Sequence, residues 1–249
     1  MARMAFVTLL TRISYLPGVL VLDYGLKSTG SKYPLVVMVT PTLEEDARDI
    51  LTQCGIEMYS INSLVPDSSR HTVADHDARF KDTWTKLRVP ANCAHTAVEN
   101  PLGLPPAWTP TSPRPYGQLN SGTVVLNPSP ALGEAIVHFL NTENLESFAF
   151  PDQDLLTSFF KGKWKPLPWY YNALKTLRVI HPQLWRDDEI RCLHYILKDK
   201  PWEARTPVVP GPFDEVHEWW WNDFDRMASG LDSQRRNKIF SLVDTSKES

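Results

Sequence analysis

The sequence predicts an α/β fold built on a mostly parallel, doubly wound sheet, and three patterns near the N-terminus support this prediction. Two short apolar runs of β-type composition, Met4–Leu10 and Pro34–Thr40, are separated by a segment of helical periodicity. An amphipathic helix pattern over Leu43–Cys54 follows the second run and leads into a third short run, Ile56–Ile61. Strand, helix, strand, helix and strand within about 60 residues is typical of a parallel sheet whose helices cover its faces.

The elements of this first segment are delimited by recognisable residues. Apolar side chains recur at helical spacing from Tyr15 to Leu26, and Gly30 ends that helix. The second strand is apolar and rich in β-branched residues, which is typical of a strand buried on both faces. Ligands of such sheets bind at the carboxyl ends of the strands, so we expect a nucleotide at the loop Leu9–Tyr15.

Further elements are predicted along the rest of the chain. The patterns indicate strands over Thr123–Asn127 and Ile190–His194 and helices over Phe80–Val89, Pro130–Leu140, Gln153–Phe160 and Asp214–Ala228. Residues 90–117 are dense in proline, which lacks the backbone donor of a central strand or helix, so we predict a long irregular connection there. We expect residues 1–230 to form one domain and the polar residues 231–249 to form a frayed tail.

The composition excludes several classes of protein. Hydrophobic residues make up 42% of the 249 residues, charged residues make up 22%, and the formal net charge is −3. Such a soluble globular chain has no basic field to attract nucleic acid or an anionic membrane. No window approaches about 18 consecutive apolar residues and no signal peptide is recognisable, so we expect no membrane partner and a cytoplasmic location. The scattered Cys54, Cys93 and Cys192 match no disulfide or metal spacing, which favours a reducing compartment.

The N-terminal motif is similar to one found in a known enzyme family. Ala5–Leu22 reads AFVTLLTRISYLPGVLVL. It resembles the opening of family 8 glycosyltransferases of the glycogenin and galactinol synthase kind, where a strand runs into TLxTxxxYxxGAxxL. Ser31–Pro41 resembles the next strand of that family. The resemblance implies a single GT-A-type domain, the fold of nucleotide-diphospho-sugar transferases, in which the uridine of a UDP-sugar is held by Leu9, Thr11 and Tyr15.

Two central motifs extend the resemblance. The triplet TKL that contains Lys86 resembles the family's K-L element, whose lysine approaches the sugar nucleotide. Leu119–Asn127, which reads LNSGTVVLN, resembles the motif FNSGxxVxxP, whose residues grip the donor sugar and the acceptor region. This implies contacts to the donor from Asn120, Ser121 and Gly122. Without the motifs, Lys86 is a solvated helix lysine and the other three residues form a turn before a strand.

The last two motifs lie in the C-terminal half. Asp152 and Gln153 match the family's DQ pair at a helix start, which implies that they orient the sugar or stabilise the reacting centre. The segment from His194 reads HYILKDKPW and resembles HFxGxxKPW, in which the histidine is a metal ligand and the lysine, here Lys200, contacts the diphosphate. Leu197 replaces the family's glycine, and its side chain would crowd the diphosphate. Without the motifs, Asp152 is a helix N-cap and His194 is a hydrogen-bonded buried histidine.

One part of the family pattern is missing after the K-L element. In the family, this element leads to an apolar strand ending in Asp-x-Asp, whose carboxylates hold Mn²⁺ together with the later histidine. Here Val89 runs directly into Pro90, and Glu99 is the only acidic residue between Val89 and Gln118. A departing UDP needs a cation to neutralise its charge. We therefore predict an incomplete metal site, reduced to His194, and a sheet that lacks one central strand.

Two other features have competing interpretations. Asp-x-Asp strings also begin at Asp75, Asp152 and Asp223, but a solvated surface carboxylate is the commoner role for such residues. The triple tryptophan Trp219–Trp221 suits either a sugar-stacking platform or a helix that packs back on its own domain. We favour packing.

The function implied by the resemblance is a retaining transfer of a hexose from UDP-glucose or UDP-galactose to an acceptor hydroxyl of a polyol, sugar or glycan. The missing segment predicts that this activity is impaired. Lys175–Trp185 contains no tyrosine for self-glucosylation, which favours an external acceptor. The alternative is an inactive homologue or truncated gene product that serves at most as a nucleotide-binding or interaction module, and a homodimer is left open. The motifs G-x-S-x-G and G-x-G-x-x-G are absent, which argues against a hydrolase or a Rossmann oxidoreductase.

Overall fold

The computed structural model describes residues 4–67, 83–88, 95–98, 118–127, 129–146, 148, 150–207 and 209–244, with the backbone alone for 95–98. The strands are β1 (Phe6–Leu10), β2 (Leu35–Val39), β3 (Glu57–Ser60), β4 (His95–Val98), β5 (Leu119–Val125), β6 (Lys165–Leu167), β7 (Ala173–Leu174) and β8 (Leu193–His194). The α-helices are α1 (Leu16–Ser28), α2 (Glu45–Gln53), α3 (Pro130–Thr142), α4 (Pro151–Phe159), α5 (Lys175–Ile180), α6 (Asp214–Ser229) and α7 (Ser233–Phe240). No described helix is both long and apolar enough to cross a membrane.

The chain divides into two compact units, one made of Met1–Asn62 with Tyr195–Ser249 and the other of Ser63–His194. In the first unit β1, β2 and β3 form a parallel sheet in that order, with Phe6 opposite Leu35 and Val36 opposite Glu57. The predicted strand–helix–strand–helix–strand segment is therefore confirmed. The fold is of the α/β class with parallel strands, and the prediction of one domain over residues 1–230 stays a prediction.

The core of the first unit lies between this sheet and its helices. Val37 and Val39 of β2 are fully buried, which is the environment that their apolar, β-branched run predicted. Gly30 and Gly55 follow α1 and α2 with φ angles of 71° and 66°, a left-handed conformation that suits glycine after a helix. Helices α1, α2, α6 and α7 all contribute buried side chains to this core, among them Leu20, Leu51, Phe224 and Ile239.

The second unit is built on a small mixed sheet in the order β5–β4–β6. Strand β4 is antiparallel to β5 and parallel to β6, and β7 pairs separately with β8 in parallel. A second apolar core lies under this sheet, with Leu119 of β5, Leu140 of α3 and Leu155 of α4 fully buried. Among the described residues the strands pair in three groups, and the predicted lack of one central strand stays a prediction.

Several predicted boundaries differ from the structure. Strand β5 begins at Leu119, so the three residues from Asn120 lie inside a strand rather than in a turn before it. Thr83–Arg88 forms a 3₁₀ turn where an α-helix was predicted. The predicted irregular connection over residues 90–117 lies outside the described residues, apart from β4.

The C-terminal segment is more ordered than its composition predicted. The frayed tail expected over residues 231–249 contains α7, and both Ile239 and Val243 are buried in the core of the first unit. Two buried apolar residues are enough to dock a short helix whose other faces are charged. In α6, Trp220 and Trp221 are each only 4% exposed, which confirms packing rather than an open platform for that pair.

Candidate functional site

The second unit brings together three motifs that are far apart in the sequence. Strand β5 carries Asn120 and Ser121, α4 carries Asp152, and the turn Thr83–Arg88 carries Lys86. The Asp152 carboxylate accepts a hydrogen bond from the Ser121 hydroxyl, 2.9 Å from Oγ to Oδ2. The same oxygen lies 3.3 Å from Lys86 Nζ. Lys86 is half exposed while Asp152 is nearly buried, so the ammonium partly neutralises a carboxylate that water reaches poorly.

Asp154, not Asp152, stabilises the start of α4. The N-cap residue is Phe150, whose side chain makes no capping hydrogen bond. Its backbone N–H donates instead to Asp154 Oδ2 at 2.9 Å, and Gln118 Nε2 donates to the other oxygen of Asp154 at 2.9 Å. The interpretation of Asp152 as a helix N-cap is therefore wrong. Asp154, two residues later, accepts the hydrogen bond from the backbone N–H at the start of the helix. Asp152 is left to face Ser121 and Lys86.

Asn120 is fixed by a local amide network. Its Oδ1 accepts from the backbone N–H of Gly122 at 2.9 Å and from Asn172 Nδ2 at 2.8 Å. Asn172 is itself 5% exposed, and its Oδ1 lies 3.4 Å from Thr123 Oγ1. Two hydrogen bonds to the Asn120 carbonyl oxygen thus fix the orientation of this amide.

His194 lies directly against Gly122. A β-carbon on Gly122 would be 2.5 Å from both Nδ1 and Cε1 of the imidazole and 2.7 Å from Asn172 Oδ1. His194 is held there by β8, whose pairing with β7 sets it opposite Leu174.

Two residues before His194, burial raises the pKa of the Cys192 thiol, and a hydrogen bond with Thr123 acts in the opposite direction. Because burial is the larger effect, this thiol stays protonated at neutral pH.

The described residues do not fit a metal centre. They contain no group of three His, Cys, Asp or Glu side chains that could hold an ion, and the neighbours of His194 named above are a glycine and an amide. Asp223 and Asp225 of α6 pair with Arg226 and Arg205, which is the surface role predicted for them. The remaining Asp-x-Asp string, at Asp75, lies outside the described residues. A bound Mn²⁺ needs more oxygen or nitrogen ligands than this part of the chain provides.

The first unit carries the predicted nucleotide contacts. Leu9 lies in β1, Thr11 follows that strand, and Tyr15 is the N-cap residue of α1 with 41% of its surface exposed. The backbone N–H of Ile13 donates to Glu44 Oε2 at 3.0 Å, so the loop after β2 supports the loop after β1. These residues lie at the carboxyl ends of two parallel strands, which is the edge that the topology predicted.

The other residues of the last motif also lie in the first unit. Lys200 precedes a 3₁₀ turn over Pro201–Glu203, and its Nζ donates to the backbone carbonyl of Tyr195. The ring of Trp202 lies on Gly18 of α1, where a β-carbon would be 2.8 Å from its Cη2 atom. Leu197 has a φ angle of 69°, so its backbone adopts the conformation for which the family's glycine is suited.

Two residues of these networks had no role in the sequence prediction. Asn172 stands in the string WYYNAL without motif spacing, and only its burial and its bond to Asn120 reveal it. Trp202 ends a recognised motif, but no contact was assigned to it. Gly18, in the first turn of the apolar helix α1, was the available signal that a bulky ring packs there.

Solved structures place this architecture in a known class. The galactosyltransferase LgtC, crystallised with donor and acceptor sugar analogs, matches 94% of this chain and all of its own length with a TM-score of 0.64 at 12% identity. The glycosyltransferase GlyE of Streptococcus pneumoniae matches 96% of this chain and 64% of its own, with a TM-score of 0.55 at 17% identity. The fold is that of the GT-A glycosyltransferases.

Sequence comparison relates the chain to one family within that class. A profile of Glycosyl transferase family 8 matches residues 114–206, and the chain is a glycogenin- and galactinol synthase-like relative of this family. Galactinol synthase 1 of Solanum lycopersicum is 27% identical over 271 residues, which cover 91% of this chain and 85% of the relative. Glycogenin of Neurospora crassa is 24% identical over 96% of this chain but only 37% of its own length.

Proposed function

We propose that the protein binds a UDP-hexose and that its transfer of the hexose to an acceptor hydroxyl is impaired. The observation that carries the donor site is the junction of Lys86, Ser121 and Asp152, because three separate family motifs meet there within hydrogen-bond distance. Family 8 enzymes generally use UDP-sugar donors and a divalent metal, which supports the nature of the ligand.

Each site residue of the second unit has a distinct role in this proposal. The Asp152 carboxylate accepts a hydrogen bond from a hydroxyl of the donor sugar. Ser121 holds this carboxylate in place by its own hydrogen bond. Lys86 supplies positive charge toward the sugar nucleotide. Asn120, whose carbonyl oxygen is held by Gly122 and Asn172, orients the donor sugar. In the first unit, Leu9, Thr11 and Tyr15 contact the base, and Lys200 contacts the diphosphate.

The impairment follows from the missing metal ligands. The alignment with the tomato galactinol synthase runs over 271 residues although it uses only 91% of a 249-residue chain, so the relative carries residues without counterparts here. This agrees with a lost segment, and the motif order in the sequence points to its place after Val89. Without the carboxylates of that segment, no described group replaces the cation that stabilises a departing UDP. We therefore assign no step of a reaction to a metal ion.

The same observation favours a second candidate function. A chain that keeps the donor contacts but lacks the metal ligands serves as a nucleotide-binding or interaction module. If transfer does occur, the acceptor is external, because Lys175–Trp185 carries no tyrosine.

The impaired transferase and the nucleotide-binding module are distinguished by measuring the binding of a UDP-hexose and its turnover with the same protein. We expect UDP-glucose or UDP-galactose to bind in a calorimetric titration, and Asp152→Asn to weaken binding by about tenfold, as for loss of a charged hydrogen-bond acceptor. Asp188→Asn, an exposed carboxylate in the turn before β8, is the matched control and should leave affinity unchanged. No binding of either nucleotide sugar would refute the donor site.

Turnover is measured as release of UDP with Mn²⁺ present, beside a galactinol synthase. We expect at least about a thousandfold less release, since a catalytic metal contributes several kcal/mol to stabilising developing charge. Release within tenfold of the galactinol synthase, abolished by a chelator, would contradict the impairment and show a metal site formed by other residues.

A further inference from the structure

Trp202 is clamped between two helices of the first unit. Its ring lies on Gly18 of α1, and its centroid is 5.8 Å from Tyr15 and 5.7 Å from Trp220 of α6. Lys200 immediately precedes the turn Pro201–Glu203 that carries this ring. The position of this turn therefore determines where two of the proposed UDP contacts lie. Tyr15 packs against the turn, and Lys200 is joined to it in the chain.

Asp244 holds the middle of the same turn and the main chain that follows it. Its backbone N–H donates to the carbonyl oxygen of Trp202 at 2.8 Å, and its Oδ1 accepts from the backbone N–H of Arg205 at 2.9 Å. The side chain of Arg205 is fixed separately, by a bidentate ion pair with Asp225 and by lying 4.8 Å over the ring of Trp221. One residue thus bonds to the main chain in the middle of the turn and two residues after its end.

The conformation of Asp244 is uncommon for a residue other than glycine. Its φ angle is 58°, in the left-handed region that only glycine, asparagine and aspartate adopt readily. The local backbone is therefore determined by its surroundings, and both hydrogen bonds to the turn depend on it. Residues held in such conformations often serve a purpose that the surrounding structure maintains.

Helix α7 brings Asp244 to this position and anchors it. Ile239 and Val243 are buried in the core, Lys238 Nζ lies 2.8 Å from Asp46 Oδ1 of α2, and Arg235 donates to the carbonyl of Gln53 at 3.0 Å. The segment is thus fastened to α2 before it reaches the turn.

We propose that Asp244 is a positioning residue for nucleotide binding, and that α7 with Asp244 forms a C-terminal latch on the Trp202 turn. The latch keeps Trp202 on α1 and Lys200 in place, so it acts on UDP affinity without touching UDP. The inference rests on the proposed function, since it takes Tyr15 and Lys200 as nucleotide contacts. It is separate from the sugar contacts of the second unit.

Two substitutions distinguish the carboxylate from the backbone conformation. Asp244→Asn keeps an oxygen acceptor and tolerates the positive φ, whereas Asp244→Gly suits the same φ but removes the acceptor. Glu218→Ala, which removes an exposed carboxylate from α6, is the control. In the full chain we expect Asp244→Gly to weaken UDP binding about fivefold or more, with Asp244→Asn and the control within about twofold of the parent protein. Hydrogen exchange at the Arg205 amide should rise about tenfold in the glycine variant alone.

Each outcome decides the proposal. Unchanged UDP affinity in Asp244→Gly would overturn it, as would equal weakening in the glycine and asparagine variants, because the acceptor would then not be the cause. Weakening that accompanies global loss of circular dichroism in both variants also overturns it. If the parent protein does not bind UDP, the proposed function fails, and the nucleotide role of the latch with it. The exchange rate at Arg205 then still shows whether Asp244 holds the turn.

Discussion

Leu197 is one of two non-glycine residues with a positive φ angle among those the structure describes. Its side chain is 52% exposed, so little burial is lost when it is removed. Because an L-residue is strained in this conformation and glycine is not, we expect Leu197→Gly to raise the free energy of unfolding by roughly 0.5–1 kcal/mol. The change is measured by urea unfolding.

A matched control separates relief of strain from loss of a side chain. Val179 is similarly exposed, at 46%, but lies in α5 with ordinary helical geometry. Val179→Gly should lower the unfolding free energy by about 0.5–1 kcal/mol, as glycine does in a helix. If both substitutions destabilise, the strain at Leu197 is not the dominant effect.

Gly122 is constrained by the side chains around it. A β-carbon at this position would be 2.5 Å from the His194 ring and 2.7 Å from Asn172 Oδ1, closer than real contacts allow. We expect Gly122→Ala to cost about 1–3 kcal/mol of unfolding free energy, typical of overpacking, and to displace His194. Gly25→Ala in α1, where no atom lies within 4 Å of the new carbon, should be neutral or stabilising by up to about 1 kcal/mol. Similar thermal midpoints for the two variants would contradict this.

At the residue scale, the motifs name candidate side chains but not the contacts between them. The fold brings Lys86, Ser121 and Asp152 together, and their roles toward a donor stay predictions. Asn172 was not predictable, since an isolated asparagine gives no sign of its partner until the fold places it 2.8 Å from Asn120. The capping role of Asp154 was missed because two aspartates stand in the first turn and either satisfies the pattern.

The stability of helix α7 depends on the protonation state of one carboxylate, that of Asp232. Asp232 is its N-cap and accepts from the backbone N–H of Arg235 at 2.9 Å. This hydrogen bond, together with the Arg235 side chain, lowers the pKa of Asp232 below its usual value of 3.8. Since the folded pKa is lower than the unfolded one, the stabilising effect is present above about pH 4 and is lost as the pH falls through the folded value.

The corresponding experiment compares two pH values. Asparagine caps a helix as well as aspartate but does not titrate. We therefore expect the unfolding free energy to fall more between about pH 6 and about pH 3 in the parent protein than in Asp232→Asn, while Glu218→Gln follows the parent. Equal pH dependence in the parent and Asp232→Asn would show that this cap does not contribute to acid stability.

At the element scale, prediction followed the strength of the periodic signal. Helices α2 and α6 and strands β1 to β3 were placed within a few residues, because each has a clear apolar pattern. Helix α7 was missed because only Ile239 and a neighbouring phenylalanine interrupt its polar sequence, and tertiary packing rather than local pattern makes it a helix. The strand predicted over Ile190–His194 contains β8, but only its last two residues are a strand, which is too short for periodicity to define its start.

For the whole molecule, the exposure of β1 has a consequence for stability. Among the residues that the structure describes, β1 pairs with β2 alone, and Phe6 and Val7 are 43% and 46% exposed. Met4–Leu10 contains no charge that would prevent strand addition. We expect thermal unfolding below about 60 °C with aggregation, and expect Val7→Lys to reduce light scattering without lowering the midpoint. A cooperative, reversible transition above that temperature would contradict the prediction.

The missing segment gives the most direct test of the whole-molecule interpretation. Inserting the apolar strand and Asp-x-Asp of a galactinol synthase after Val89 restores the ligands that the described residues lack and supplies a strand for the sheet. We expect this chimera to release UDP from a UDP-hexose at least about a hundredfold faster than the parent chain, and a chelator to abolish the gain, because a metal ion then neutralises the leaving group. The same insertion with both aspartates changed to alanine is the matched control, and it should raise the thermal midpoint without restoring turnover. If the alanine insertion is as active as the aspartate one, the missing carboxylates are not what limits transfer, and the reduced activity must be traced to the residues around His194 and Leu197 instead.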